Sequence, residues 1–330
     1  MSMPSSILSI FEQFEQMTVL VIGDVMIDSY VWGDVNRISP EAPVPIVSVQ
    51  RNEQRLGGAA NVALNVQALG AKPILCSVIG QDANADQLRR LCAEEGIGDE
   101  GLVGSPARPT TVKHRILAGS QHILRVDAEL DTPISEAEST RLLFRIETLL
   151  PQADVIIFED YDKGVLTPEN IQSLIAAAKA YDIPSVVDPK KRNFMAYSGC
   201  SLFKPNLKEL REGVKLDFPS HDIEAVANAT RQLKELMPIG AALITLSEQG
   251  VYITDFEEEQ HLPAHKREIS DVSGAGDTVV SIASLCLAAN VPLKQVAGIA
   301  NLGGGLVCEQ LGVIPIDRDR LMAEAEKHYG

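Results

Sequence analysis

The chain has 330 residues, 45% of them hydrophobic, so it can bury one large core and does not have the composition of a disordered protein. Its 29 Lys and Arg residues and 45 Asp and Glu residues leave a formal net charge of −16, which argues against nucleic acids and membrane surfaces as partners. The five cysteines form no CxxC pair and the N-terminus lacks a secretory signal pattern, so we expect a cytoplasmic protein with reduced thiols.

Segments rich in β-branched and other apolar residues alternate with helical patterns along the chain. Residues 59–69 are one helical stretch, in which apolar side chains recur at helical spacing. The predicted strands are 18–25, 73–80, 154–160, 184–189, 201–206 and 241–247. Because continuous apolar strands are buried on both faces, the alternation predicts an α/β fold with a mainly parallel central sheet and helices on both faces.

Two segments interrupt this alternation, at about 29–55 and 108–128. Both have the pattern of strands joined by turns, with too few apolar residues for a core of their own. We therefore predict a small β-sheet that projects from the α/β body as a lid over a cleft. An irregular loop and a surface hairpin are the alternative. Residues 1–330 are thus expected to form a single domain with the lid segments inserted.

Three short motifs are ambiguous on local chemistry. Gly57-Gly-Ala-Ala-Asn61 alone reads as a Gly-Gly helix start with an inward polar side chain. Lys204-Pro-Asn-Leu-Lys-Glu209 suits a strand end followed by a helix cap equally well. Residues 96–101 formally match the GxGxxG dinucleotide loop. A helical pattern precedes them, however, and two acidic residues within the loop would repel a pyrophosphate, so we exclude a dehydrogenase.

The strongest chemical signal is Asp271-Val-Ser-Gly-Ala-Gly-Asp-Thr278, followed by an apolar helix. Gly274, Ala275 and Gly276 open that helix, so free N–H groups and the positive end of the helix dipole face a bound anion. Asp277, in the first turn, is placed to accept a proton from an attacking hydroxyl. Local chemistry alone equally supports an acidic residue that only stabilises the helix start.

In their order along the chain, these motifs resemble the ribokinase-like (PfkB) family of carbohydrate kinases, although Val272 and Ser273 stand where that family more often has Thr and Val. The resemblance implies a ribokinase-like fold, ATP and Mg²⁺ as cofactors, and phosphoryl transfer to a sugar hydroxyl. It implies that Asp277 is the catalytic base and that residues 274–276 hold the transferred group. The other common route to ATP, a GxxxxGK[ST] loop, is missing from the sequence.

The same resemblance assigns further residues to the substrate and the nucleotide. The implied sugar ligands are Asp24, Asp28, Gly57, Gly58 and Asn61. The implied nucleotide and cofactor ligands are Asn206, Glu209, Ser247, Gly250 and Asn301, with Glu209 acting on the metal ion indirectly. Local alternatives stay open, since the two aspartates also suit a solvated turn and the glycines at 303–305 also suit a close helix contact.

Three stretches, 33–49, 156–167 and 188–194, resemble the D-glycero-D-manno-heptose 7-phosphate kinases of ADP-heptose synthesis more closely. That resemblance implies phosphorylation of the C1 hydroxyl to the 1,7-bisphosphate, for the lipopolysaccharide core. A substrate that already carries a phosphate needs cations at the far end of its pocket. The available cations are Arg115, Arg125, Lys163, Lys190, Lys191 and Arg192, each of which singly also suits a solvated surface charge.

Other interpretations share the same phosphoryl-transfer motif. Ribose, fructose phosphate, ketodeoxygluconate and nucleosides are alternative substrates, and a non-catalytic sugar-binding regulator is the alternative from another class. None of the six histidines forms an HxGH motif, so we expect a kinase without an attached nucleotidyltransferase. Related kinases often pair through their β-lids, and residues 43–49 offer an apolar strand with two prolines, so we expect a homodimer.

Overall fold

The computed structural model describes residues 6–119 and 121–330, which form ten α-helices and thirteen β-strands in two sheets. The helices are α1 Ile7–Phe14, α2 Ala59–Ala68, α3 Ala83–Glu94, α4 Glu136–Leu149, α5 Pro168–Ala180, α6 Leu207–Val214, α7 Ile223–Leu236, α8 Ala275–Ala288, α9 Leu293–Val307 and α10 Arg318–Tyr329. The strands are β1 Thr18–Gly23, β2 Val25–Ile38, β3 Pro45–Gly58, β4 Lys72–Gly80, β5 Gly101–Ser105, β6 Val112–Ala118, β7 Gln121–Ala128, β8 Val155–Glu159, β9 Ser185–Asp188, β10 Leu202–Phe203, β11 Ala241–Thr245, β12 Val251–Thr254 and β13 Glu259–Leu262.

The larger sheet has nine strands in the order β13-β12-β11-β10-β9-β8-β1-β4-β5. Neighbours from β11 to β5 run parallel, whereas β12 and β13 pair antiparallel at one edge. All six predicted strands lie in this sheet, so the predicted mainly parallel sheet is confirmed. Three strands, β5, β12 and β13, lie outside the predicted ones: β5 contains two glycines, β12 has only four residues and β13 is mostly polar.

Alternate side chains of the central strand β1 enter two different cores. Val19 and Val21 pack in a core beneath α1, α2, α3, α8, α9 and α10. Leu20 and Ile22 pack in a second core beneath α4, α5, α6 and α7. All four side chains are fully buried, and burial of each stabilises the fold by about 1.5–3 kcal/mol. The predicted helices on both faces are therefore confirmed, and double-sided burial explains why β1 is apolar throughout.

The smaller sheet has four strands in the order β3-β2-β6-β7. β2 pairs antiparallel with β3 and parallel with β6, and β6 pairs antiparallel with β7. The predicted small second sheet is confirmed, and an irregular loop is excluded. Its strands reach closer to the body than predicted, since β2 begins at Val25 and β3 ends at Gly58. The action of this sheet as a lid stays a prediction.

Two expectations from composition concern the chain as a whole. All five cysteines are buried and unpaired, as expected for reduced thiols. Among residues 6–119 and 121–330, every helix is too short or too polar to cross a membrane.

Candidate active site

Charged side chains meet at the carboxyl edge of the central sheet. Glu159 ends β8, Asp188 ends β9 and Lys204 directly follows β10. Because these strands are parallel neighbours, their last residues lie side by side. Asp277, in the first turn of α8, reaches the same edge, and its carboxylate offers an oxygen within 4.8 Å of those of Glu159 and Asp188. The edge thus gathers three carboxylates and one ammonium group.

Sequence reasoning missed three of these residues: Glu159, Asp188 and Lys204 were not predicted as site residues. The usable signal was their position, since each is the polar residue that closes a buried apolar strand. In open α/β sheets, ligands bind at the carboxyl ends of strands, so a charged residue there is a site candidate.

The charges at this edge are only partly compensated. Lys204 Nζ lies 2.7 Å from Asp188 Oδ2, and both side chains are buried. Both carboxylate oxygens of Glu159 are buried without a hydrogen-bond partner in the described part of the chain. Burial, and then the negative charges of Asp188 and Asp277, raise the pKa of Glu159 well above its usual value. Such an oxygen-rich and under-compensated group is suited to a divalent cation.

The predicted base, Asp277, is buried and held from two sides. Asn61 Nδ2 donates to Asp277 Oδ2 at 2.6 Å, and Tyr161 Oη donates to Asp277 Oδ1 at 3.1 Å. Burial raises the pKa of Asp277 to about 6, although these two hydrogen bonds lower it. The result is an oriented carboxylate that is ionised at neutral pH and binds a proton more readily than an exposed aspartate does.

The start of α8 forms a cradle beside this carboxylate. Gly274 has φ +80°, and a side chain there would lie 3.2 Å from Asn61 Nδ2. A Cβ atom at Gly276 would lie 3.6 Å from Asp188 Oδ2 and 3.8 Å from Lys204 Nζ, so this residue faces the charged edge of the sheet. The N–H groups of Gly276 and Asp277 donate no hydrogen bond within residues 6–119 and 121–330. The Ala275 N–H group donates to the Val272 carbonyl oxygen at 3.3 Å, so anion binding by residues 274–276 stays a prediction.

The predicted sugar-binding glycines bring the end of β3 close to the start of β2. A Cβ atom at Gly57 would lie 2.5 Å from Asp28 Oδ2, and one at Gly58, where φ is +59°, would collide with the carbonyl oxygen of Asp24. The close approach places Asn61, in the first turn of α2, against Asp277. The segment from Gly57 to Asn61 therefore connects Asp28, on the predicted sugar-binding side, with Asp277, the predicted base.

Asp24 has a different environment from the one expected for a sugar ligand. Its carboxylate accepts hydrogen bonds from the backbone N–H groups of Tyr161, Lys163 and Val165, at 2.9, 3.0 and 3.1 Å. Its side chain is buried, and burial raises its pKa despite these bonds. This geometry supports a positioning role, in which Asp24 fixes the loop that carries Tyr161. Direct contact with sugar hydroxyls stays a prediction.

Asp28 projects from β2 toward the small sheet. It pairs with Arg115 of β6, whose Nη1 donates to Asp28 Oδ1. Although burial lowers the pKa of Arg115, the charge of Asp28 outweighs that effect and raises it. Asp28 is thus a buried carboxylate with one oxygen held by an arginine, a contact that the sequence did not predict.

Asn206 and Glu209 form a helix cap and also contact a predicted substrate cation. The Asn206 side chain accepts from the Glu209 N–H at 2.9 Å, and Glu209 Oε2 accepts from the Asn206 N–H at 2.8 Å, which is a capping box at the start of α6. Glu209 Oε1 lies 3.1 Å from Lys190 Nζ. Burial lowers the pKa of Lys190. The negative charges of Asp188 and Glu209 have the larger effect and raise that pKa. Lys190 is therefore held among carboxylates at the sheet edge.

The remaining predicted nucleotide residues lie at turns and at a helix contact. Ser247, with φ +53°, opens the turn after β11, and Gly250, with φ +88°, closes it. Asn301 Nδ2 donates to the Pro263 carbonyl oxygen at 2.9 Å and so ties α9 to the segment after β13. Of the neighbouring glycines, Gly304 packs against α8, where a Cβ atom would lie 2.8 Å from a Val279 methyl group. The close helix contact, which was the alternative role for the glycines at 303–305, is therefore present at Gly304.

The six candidate phosphate cations separate into two groups. Lys191, Arg192 and Arg125 are exposed and paired with nearby carboxylates, the Lys191 side chain being 80% exposed. Arg115, Lys163 and Lys190 are largely covered, and the site described above contains all three. The structure therefore favours the second group as candidates for substrate binding.

Comparison with known proteins places the chain in a family. Residues 16–319 match the pfkB family of carbohydrate kinases. The bifunctional protein HldE of Caulobacter vibrioides is 44% identical over 320 residues, which cover 96% of this chain and 65% of that protein. The chain thus spans less than two thirds of the length of that relative.

Solved structures with low sequence identity share the fold. Phosphofructokinase-2 from Escherichia coli, in complex with potassium, has a TM-score of 0.78 at 20% identity and covers 95% of this chain and 98% of its own. Arabidopsis thaliana ribokinase, complexed with ribose and ATP, has a TM-score of 0.74 at 16% identity and covers 94% of this chain and 99% of its own. The predicted ribokinase-like fold is thereby confirmed.

Proposed function

Because the chain belongs to the pfkB family of carbohydrate kinases, we propose that it transfers the γ-phosphoryl group of ATP to the C1 hydroxyl of D-glycero-D-manno-heptose 7-phosphate. The product is the 1,7-bisphosphate. The observation that carries the transfer step is the position of Asp277, a buried carboxylate beside two backbone N–H groups without partners in the described residues. A proton acceptor and an anion cradle are the two elements that this reaction needs from the protein.

In the proposed reaction, Asp277 orients the sugar hydroxyl and takes its proton as the oxygen attacks the γ-phosphorus. The bond from the γ-phosphorus to the bridging oxygen of the β-phosphate breaks, and ADP leaves. The sugar hydroxyl replaces one of the two donors, Asn61 or Tyr161, that Asp277 binds in the structure. The free N–H groups at the start of α8 and the ammonium group of Lys204 stabilise the negative charge of the transferred group. A positioned general base of this kind contributes about 10²–10⁴-fold to the rate.

The residues present fit Mg²⁺ as the metal cofactor of ATP. The donors at the sheet edge are carboxylate oxygens, and both oxygens of Glu159 are buried without a partner in the described residues. Glu159 and Asp188 would hold the ion, and Glu209 would order its waters. When bound, Mg²⁺ supplies neutralisation of the charge on the phosphate oxygens.

The choice of heptose 7-phosphate rests on sequence similarity. The stretches 33–49, 156–167 and 188–194 resemble heptose 7-phosphate kinases, and the relative from Caulobacter vibrioides carries the name HldE. That relative is bifunctional, so only its kinase activity is carried over to this chain. Ribose, fructose phosphate and ketodeoxygluconate stay as the alternatives that the experiment must separate.

The small sheet is proposed to act as a lid and as a dimer surface. Its strands carry Asp28 and Arg115 on the substrate side. They also carry exposed apolar side chains, including Val49, Leu124 and Val126. An exposed apolar sheet surface is energetically unfavourable in water, and a second copy of the chain would cover it by the same surface. We therefore infer a homodimer formed by the small sheets.

The function is tested by ATP consumption over a panel of sugars and sugar phosphates. We expect heptose 7-phosphate to give the highest kcat/KM, with the new phosphate on C1 by ³¹P NMR of the product. A clearly higher kcat/KM for ribose or fructose 6-phosphate would overturn the proposed substrate and leave the kinase assignment standing. If no sugar caused ATP consumption, a non-catalytic sugar-binding regulator would be favoured instead.

The base is tested by Asp277→Asn. We expect normal folding and ATP binding with kcat lowered by at least about 10²-fold, because the amide cannot accept the proton. Asp319→Asn is the matched control, since it makes the same chemical change at an exposed position of α10. Turnover of Asp277→Asn close to that of Asp319→Asn would eliminate Asp277 as the base.

A further inference from the structure

Two cationic side chains of β6 lie on the substrate-facing side of the small sheet. Lys113 and Arg115 are two residues apart, so strand alternation places them on the same face. Their cross-strand partners on β2 are Asp28 and Tyr30. Arg115 Nη1 donates to Asp28 Oδ1, which identifies this face as the one that carries the predicted sugar ligand.

A third cation reaches the same place from the α/β body. Lys163 lies in the loop that Asp24 fixes, where its N–H group donates to Asp24 Oδ2 at 3.0 Å. Its Nζ lies 2.6 Å from Oε1 of Glu129, the residue after β7, and Lys113 Nζ lies 3.8 Å from Oε2 of the same carboxylate. Glu129 therefore connects a lysine of the small sheet with a lysine of the body.

These cations are covered but have unused hydrogen-bond donors. The side chains of Lys113, Arg115 and Lys163 are only 13%, 20% and 17% exposed. The ammonium group of Lys113 lies 3.8 Å from Glu129 Oε2, too far for a hydrogen bond, and Glu129 Oε2 is buried without a hydrogen-bond partner among the described residues. A covered ammonium group that makes no hydrogen bond is costly unless a ligand or water accepts from it.

A chain of contacts leads from the base to these cations. Asp277 binds Asn61, which follows the glycine pair, and a Cβ atom at Gly57 would lie 2.5 Å from Asp28 Oδ2. Asp28 in turn binds Arg115. A sugar that contacted both Asp277 and Asp28 would therefore extend from its reacting hydroxyl toward Arg115 and the neighbouring lysines.

We propose that Lys113, Arg115 and Lys163 bind the phosphate group that the sugar substrate already carries. The inference rests on the proposed function, because only a sugar phosphate has this group. Arg115 offers a planar pair of N–H donors, and each lysine offers a point charge. Arg125 and Asp127, an ion pair, lie opposite Arg115 and Lys113 on β7. With that pair included, four positive charges against the carboxylates of Asp28, Asp127 and Glu129 leave one positive charge, which attracts a phosphate dianion. Lys113, which no sequence motif marks, becomes a specificity residue.

The test compares two substrates that differ only in this phosphate, D-glycero-D-manno-heptose 7-phosphate and D-glycero-D-manno-heptose. We expect Lys113→Gln, and separately Arg115→Gln, to lower kcat/KM for the phosphorylated sugar by roughly 10- to 100-fold, the range for one hydrogen bond to a charged group. For the unphosphorylated sugar, we expect Lys113→Gln to change kcat/KM by less than about threefold, because that sugar makes no contact with Lys113. Arg115 also holds Asp28, so we expect Arg115→Gln to lower kcat/KM for both sugars, with the larger loss for the phosphorylated one. Arg115→Lys keeps the charge, and we expect it to restore part of the lost activity.

Lys294→Gln is the control, since it removes one positive charge from an exposed position of α9. An equal loss on both sugars would show a structural role, and no loss on either would show no role; both results overturn the inference. If the unaltered protein does not phosphorylate heptose 7-phosphate, the proposed substrate fails instead. Thermal unfolding of each variant identifies any that is misfolded, and Lys163→Gln then provides an independent test of the same cluster.

Discussion

At the scale of single residues, burial and two opposing hydrogen bonds set the pKa of Asp277. Asn61 donates to one carboxylate oxygen and Tyr161 to the other. Burial raises the pKa of Asp277 to about 6, and both bonds lower it because they stabilise the charged form. A base acts only when it is deprotonated. The pH dependence of kcat/KM reports the free enzyme, so we expect kcat/KM to fall as the pH decreases through about 6.

Tyr161→Phe tests this control. Loss of the phenol removes a bond that favours the carboxylate, so the pKa of Asp277 in the free enzyme rises and the acidic limb of the kcat/KM profile moves to higher pH. One bond to a charged group corresponds to roughly one to two pH units. Tyr181→Phe, at an exposed position, should leave the profile unchanged. If both variants have the same acidic limb, Tyr161 does not tune the base.

The two glycines of the cradle should respond differently to the same added methyl group. Gly274→Ala places alanine at φ +80°, which costs roughly 1–2 kcal/mol of unfolding free energy, and it also crowds Asn61. Gly276 lies within α8 with no atom closer than 3.6 Å to its Cβ position, so Gly276→Ala should not reduce stability. Its methyl group would fill the cradle, and we expect kcat to fall at least about tenfold. Urea unfolding and steady-state kinetics measure both effects, and full activity of Gly276→Ala would contradict the cradle.

At the scale of elements, the loop after β8 depends on a single carboxylate. Asp24 accepts three backbone N–H groups from this loop. Asp24→Asn leaves one acceptor oxygen for these donors, and each unsatisfied buried donor costs about 1–3 kcal/mol. We expect the unfolding free energy to fall by roughly 2–4 kcal/mol, as measured by urea denaturation followed by circular dichroism.

Asp255→Asn is the matched control for this prediction. Asp255 also accepts two backbone N–H groups, but in a turn near the surface, where water replaces lost partners. We expect Asp255→Asn to lower the unfolding free energy by less than about 1 kcal/mol. Equal losses in the two variants would show that burial of the Asp24 contacts adds nothing to stability.

Local patterns were sufficient to predict six strands of the larger sheet, the start of α8 and the cap of α6, but not the contacts between distant segments. The capping box joins Asn206 to Glu209, three positions along the chain, and is readable from the sequence. The pair of Asp28 and Arg115 requires β2 and β6 to lie parallel in one register, across 87 residues of chain. Glu159 and Asp188 meet only because β8 and β9 are neighbours, an order that no local pattern specifies.

At the scale of the whole molecule, the proposed dimer depends on the exposed apolar side chains of the small sheet. Leu124→Glu places a charge among them, and burying an unpaired charge at an interface is strongly unfavourable. We expect light scattering to show a dimer for the unaltered protein and a monomer for this variant. Phe144→Glu, at an exposed apolar position of α4, should leave the dimer intact. A monomeric unaltered protein at micromolar concentration would exclude the proposed pairing.

The connections between the two sheets have a mechanical consequence. Asp24 is the only residue between β1 and β2, and β3 runs directly into α2 after Gly58. At that second connection, the Ala59 N–H group donates to the Asp24 carbonyl oxygen at 3.0 Å. The β2–β3 hairpin is thus joined to the body at two adjacent points, one of which anchors the loop of Tyr161 while the other begins the helix of Asn61. We expect any movement of the hairpin about these points to displace both partners of Asp277 together. We also expect the base to be aligned in only one position of the hairpin, which would couple sugar enclosure to catalysis and protect ATP from idle hydrolysis.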